Sequence, residues 1–96
     1  MFFSKEIKVT HQFGESHIEL ITTFLENYFS VQFLDSDEIE MELILHTYLI
    51  DGYEVTFMTE GMVGISLIGK KSILKKVINK VLDENPNLFE LIHKRI

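Results

Sequence analysis

The chain has 96 residues, 46% hydrophobic and 25% charged, the size and composition of one ordinary globular domain. It has no cysteine, which excludes disulfides, thiolate metal sites and cysteine nucleophiles. Its formal net charge is −6, and no segment approaches the roughly 20 consecutive apolar residues of a membrane-spanning helix.

The charge is segregated. Between His11 and Gly69 there is no Lys or Arg, while Glu15, Glu19, Glu26, Asp35, Asp37, Glu38, Glu40, Glu42, Asp51, Glu54 and Glu60 all fall there. From Lys70 to Ile96, seven basic residues outnumber three acids. Such a field steers partners and makes association salt-dependent, but names no partner. The start, MFFSKEIK, has three apolar residues before Ser4 and Lys5. That is not a secretory signal, so the cytoplasm is the expected compartment.

In EIKVTHQF, Ile7, Val9, His11 and Phe13 alternate with polar residues, the pattern of a half-buried strand. Gly14 breaks it. Ser16 with Glu19 three positions on makes a capping box, and Ile18, Ile21, Phe24, Leu25, Tyr28 and Phe29 follow at helical spacing. Residues 16–29 are therefore expected to be an amphipathic helix. Val31–Leu34 reads as a strand or an extended lead-in, and Asp35, Ser36 and Asp37 as a turn.

The clearest signal follows. Two β-rich runs flank Asp51-Gly52, the dipeptide of a two-residue hairpin. That loop sets Ile50 opposite Tyr53, Tyr48 opposite Val55 and His46 opposite Phe57. Glu60-Gly61 reads as a second tight turn, which sets Phe57 opposite Gly64, and a three-stranded meander is expected over about residues 39–68. Ile73, Leu74, Val77, Ile78, Val81 and Leu82 then mark a helix with Lys71, Lys75, Lys76 and Lys80 on its outer side. Asn85-Pro86 ends it and opens a last short helix with Leu88, Phe89, Leu91 and Ile92 inward.

The expected fold is thus α+β, residues 1–96 as a single domain. It is a two-layer sandwich: a mainly antiparallel sheet (three-stranded meander plus N-terminal strand) with two or three helices on one face.

Gly64, Gly69 and Lys70 fall on the spacing of a phosphate-binding P-loop. Lys71 stands where the Mg²⁺-binding hydroxyl belongs, with Ser72 one residue late. The four intervening residues, Ile65 to Ile68, read as a strand whose N–H groups its neighbour needs, so no nucleotide is expected. Asp35, Asp37 and Glu38 resemble the first ligands of a Ca²⁺ loop, but the glycine and the bidentate glutamate are missing. His11, His17, His46 and His93 lack metal-ligand spacing. An enzymatic reading would need His11 or His46 beside a carboxylate in a cleft. No cofactor and no small-molecule ligand is expected.

Helix, three strands, helix is also the order of the double-stranded RNA-binding domain, and GKKSILKK resembles its lysine-led last helix. The resemblance covers residues 16–82 in layout only. It implies phosphate contacts from Lys70, Lys71, Lys75, Lys76 and Lys80. A strand precedes the first helix here, the hairpin turn is acidic, and the chain is anionic, so most of such an interface would repel phosphate.

On the hairpin, Ile44, Tyr48, Ile50, Tyr53, Val55 and Phe57 are expected on one face. Leu43, Leu45, Leu49, Met58, Val63, Ile65 and Leu67 are expected on the other. Two or three helices cover one face, which leaves the other as an interface unless the flanking segments cover it. The chain therefore reads as a small non-enzymatic protein-binding module. Its expected contact surface is Glu40, Glu42, Tyr48, Asp51, Tyr53, Glu54 and Phe57, and its partner a protein with a basic surface or a second copy of itself. One form of such a module is a compact inhibitor or immunity-type protein whose acids neutralise a basic partner; a self-associating structural domain is another.

Overall fold

Asp51 and Gly52 take positive φ, 51° and 85°, and close the tight hairpin that their identity favours. Around that hairpin the computed structural model describes residues 4–40 and 42–96. The elements are β1 (Ser4–Thr10), α1 (Glu15–Leu25), β2 (Val31–Ile39), β3 (Leu43–Ile50), β4 (Tyr53–Glu60), β5 (Ile65–Lys70), α2 (Lys71–Glu84) and a short 3-10 helix, Pro86–Phe89. The strands form one antiparallel sheet in the order β1-β5-β4-β3-β2.

Both α-helices lie on one face, as expected for a two-layer α+β fold. The Thr59 hydroxyl accepts a hydrogen bond from the Gly14 N–H at the start of α1, at 2.8 Å. Gly69 lies against Leu74 and Ile73 of α2. Thr59 and Gly69 share a face by register. Between the layers, Ile18, Ile21 and Leu25 of α1 and Leu74, Val77 and Ile78 of α2 close over Val55, Phe57, Ile65 and Leu67, all without exposed surface. Burial of this kind is the main stabilising term, at about 1.5–3 kcal/mol per large apolar side chain.

The Asp51-Gly52 register is as expected, with Ile50 on Tyr53, Tyr48 on Val55 and His46 on Phe57. The next turn is not. Thr59 pairs with Ile65 and Phe57 with Leu67, three residues further than a two-residue Glu60-Gly61 loop would give. The Gly61 N–H donates to the Glu42 carbonyl instead, at 2.7 Å, and Gly64 adds a further bend at φ 134°. An odd shift of register turns every side chain to the opposite face. Ile65 and Leu67 therefore join Phe57 in the core rather than facing away from it.

Asp35, Ser36 and Asp37 do not form a turn. They lie within β2, opposite Thr47, His46 and Leu45, after an irregularity between Phe33 and Asp35. β2 is a sheet edge, exposed from Gln32 onward, where charged side chains stay hydrated and discourage further pairing. The meander consequently has four strands, and the chain reverses between the end of β2 at Ile39 and the start of β3 at Leu43, with Glu40 at φ 60°. The alternation through Met41 and the Met1–Phe3 start lie outside the described residues.

Helix α1 begins at Glu15, one residue earlier than expected, and no side chain caps it. Gly14 takes the N-cap position at φ 95°, so Ser16 falls inside the first turn and the expected capping box is absent. The helix ends at Leu25, short of residue 29. Strand β1 ends at Thr10, after a register irregularity between Lys8 and Thr10 that leaves both Val9 and Thr10 buried. His11 is consequently exposed, and so is Phe13. Residues 65–68 belong to β5 and Ser72 to α2, as the strand reading of the P-loop spacing expects. No helix among the described residues is long and apolar enough to cross a membrane.

The helix-free face as candidate functional site

The register assigns every outward side chain. Outward from β3 point Leu43, Leu45, Thr47 and Leu49; from β4, Glu54, Thr56, Met58 and Glu60. Ser66 and Ile68 of β5 lie beside Met58 and Thr56. Lys8 and Glu6 of β1 follow, while Asp35, Asp37 and Ile39 of β2 flank the other side. A one-sided antiparallel sheet normally shows water its polar set. Strand β3 departs from this: Leu43, Leu45 and Leu49 are outward and only half-buried. Met58 and Ile68 widen the band, and Ile39 extends it. Thr47 and Thr56 satisfy each other across the middle at 3.0 Å. Asp35, Asp37, Glu54 and Glu60 ring the apolar band. An apolar centre with a charged rim is the usual anatomy of a protein-docking patch.

The expected contact residues scatter. Glu54 is on this face. Glu40 and Glu42 are exposed in the β2–β3 turn at one end of it, and Asp51 in the hairpin turn at the other. Asp51 is also a clamp: its carboxylate accepts the Ser30 N–H at 2.8 Å, and its own N–H donates to the Ser30 carbonyl at 2.9 Å. Tyr48 and Phe57 belong to the helix side. Phe57 has no exposed surface, so its assignment to a contact surface is corrected: the helices cover that side of β4. Tyr48 is half-buried, edge-on between Phe57 and Phe33 at 5.5 Å from each. Tyr53, 47% exposed, is on the helix side beside Ser72, Ile73 and Lys76 of α2, with the Lys70 ammonium 5.9 Å from its ring.

Asp35, Asp37, Glu60 and Lys8 were missed as rim residues. For the two aspartates the edge-strand reading was the absent step, and Glu60 reads as part of a turn until β4 is known to run through it. For Lys8 it was the pairing of the first strand with the last, which periodicity does not encode.

His46 does meet a carboxylate. Its Nε2 lies 2.9 Å from Glu15 Oε2, which ties the first turn of α1 to β3. Ser36 stands opposite His46 in the register, but no hydrogen bond joins them among the described residues. Two cavities lie away from His46: one of about 450 Å³ on the open face, lined by Leu49, Glu54, Thr56 and Ile68, and one of about 510 Å³ beside Phe29 and Lys75. His11 is exposed, and its backbone N–H donates to the Glu90 carboxylate at 2.7 Å. Burial pushes the Glu90 carboxyl up, but the Thr10 hydroxyl and the His11 N–H outweigh it and hold the group below the usual carboxylate range.

The lysines form a second surface on α2. Lys71, Lys75 and Lys76 are exposed, Lys80 rests 4.9 Å from the Tyr28 ring, and Lys70 precedes the helix. None makes an ion pair among the described residues. Arg95 is paired with Asp83, whose carboxyl its hydrogen bond lowers.

No family model, curated protein or solved structure matches this chain.

Proposed function

We propose that this chain is a non-enzymatic protein-binding module that docks through the helix-free face of its sheet. The observation that carries the reading is β3. Three of its four outward side chains are leucines, on a face that no element among the described residues covers, inside a ring of four acids. Burying apolar surface drives the association, at roughly 25 cal/mol per Å², and the acids set specificity and on-rate toward basic groups. Inhibitor and immunity-type proteins are one class that works in this way.

The test compares three immobilised baits: the natural chain, Leu45→Asp with Met58→Asp, and Lys71→Glu with Lys75→Glu and Lys76→Glu. The reading expects a protein retained by the natural and lysine-reversed baits, lost from the first variant, and weakened by salt. Retention of the same protein by the Leu45→Asp, Met58→Asp bait, shown to be folded by circular dichroism, would overturn it.

A further inference from the structure

The open face of the sheet has a definite sign and a definite width. Resting on the docking reading above, we propose that it receives a single amphipathic α-helix of a partner protein. The helix seats an apolar stripe along β3, carries Lys or Arg on both flanks of that stripe, and runs in the direction of β3.

Charge selects the sign of the partner. Asp35 and Asp37 stand on one long side of β3, and Glu54 and Glu60 of β4 on the other. All four are exposed, and none has an ion-pair partner among the described residues. At the far edge, Glu6 and Lys8 of β1 offset each other. A second copy of the chain, or any acidic partner, would set acids against these acids, which is costly. Cations on both flanks of a helix meet them instead, while its apolar stripe supplies the attraction.

Shape selects the element. Leu43, Leu45 and Leu49 lie in one line along β3, with Met58 and Ile68 beside them on β4 and β5. Two strand spacings separate β3 from β5, about 10 Å, which is the diameter of one helix with its side chains. From Leu43 to Leu49 is roughly 20 Å, the length of about 13 helical residues. A partner sheet would be wider than this band and would press its outer strands onto the acids. A lone extended segment lying on the face would leave its own N–H and C=O groups unpaired, whereas a helix satisfies its own. The Thr47 and Thr56 hydroxyls bond each other at 3.0 Å and so need nothing from the partner.

The two ends of the band differ. At the Leu43 end, Glu40, Glu42 and Glu60 line a cavity of about 390 Å³ that has no Lys or Arg among its described lining residues. At the Leu49 end, Lys70 lines the same cavity as Glu54. A helix is positive at its N-terminus and negative at its C-terminus. The partner helix therefore begins over Leu43 and ends over Leu49.

The test is a display selection on the natural chain from a pool of random peptides of about 16 residues, long enough for the helix the band accommodates. Selected peptides are expected to repeat apolar residues at three- and four-residue spacing, with Lys or Arg on both sides, and to gain helical circular dichroism on binding. By fluorescence anisotropy, their binding should be lost with Leu45→Asp, Met58→Asp and weakened about threefold to tenfold by Asp35→Asn, Asp37→Asn, the scale of two exposed ion pairs. A nitroxide on the peptide N-terminus should broaden the amide signals of Leu43 and Gly61 and spare that of Gly52. Binders with apolar residues at every second position, binders with acidic flanks, no peptide that distinguishes the natural chain from Leu45→Asp, Met58→Asp, or broadening at Gly52 instead would each overturn the proposal. Each of these outcomes leaves the docking reading to be decided by the bait comparison alone.

Discussion

Phe57 stands directly opposite Leu67 across β4 and β5, and both are fully buried beneath the helices. Their pairing fixes which way β5 faces, and so which face of the sheet is left open. Phe57→Ala is expected to lower stability by about 3–5 kcal/mol. Natural domains hold only about 5–15 kcal/mol in all, so a urea melt should find this variant near its unfolding threshold.

Gly64 and Gly52 both have positive φ, 134° and 85°, but different surroundings. A side chain at Gly52 would meet nothing within 4 Å, whereas at Gly64 it would strike the Thr10 carbonyl. Gly52→Ala should lose about 1 kcal/mol from backbone strain alone, and Gly64→Ala about 3 kcal/mol or more. Equal losses in paired urea melts would contradict the close approach of β1 to Gly64.

Glu90 links stability to acid. Its carboxyl is lower in the folded chain than its ordinary value of 4.5, because the Thr10 hydroxyl and His11 N–H outweigh burial. On acidification the unfolded state therefore binds the proton first. The contribution is present above about pH 4.5 and lost as pH falls through the depressed value. Thermal melts between about pH 2 and pH 6 should show Glu90→Gln less stable than the natural chain at the upper end, with the two curves converging in acid.

The first turn of α2 contains Lys71, no acid and no side-chain cap. Lys71→Glu should therefore stabilise the chain by about 0.3–1 kcal/mol, through the helix dipole and relief of the Lys71–Lys75 repulsion. By fluorescence anisotropy the natural chain should not hold a double-stranded RNA at physiological salt. Binding abolished by reversing Lys71, Lys75 and Lys76 would restore the nucleic-acid reading.

Elements whose signals are local were legible in the sequence. Asp51-Gly52 gave the hairpin and its register, and the spacing of Ile73 to Leu82 gave α2. The alternation of Leu43, Leu45 and Leu49 exposed an apolar second face. The elements that depend on distant parts of the chain were misread. Asp35 to Asp37 look like a turn until β3 is known to pair with them. Glu60-Gly61 looks like a two-residue loop because nothing local reports that Gly61 bonds to Glu42 or that Gly64 bends again. The contact set failed at Phe57 for the same reason: alternation separates two faces, but which one the helices cover depends on packing.

Among the described residues strand β1 has a single neighbour in the sheet, β5, and the carbonyl of its Val9 accepts the N–H of Leu91 at 3.1 Å. Its ladder partners and Leu91 thus all follow α1 and β2–β4 in the sequence. While the β2–β5 meander can zip up locally, the N-terminal strand must wait for almost the whole chain, and its closing carries a large loop entropy. Until then β5 is itself an open edge, exposed to pairing with another chain. Folding of this domain should consequently finish, rather than begin, at its N-terminus.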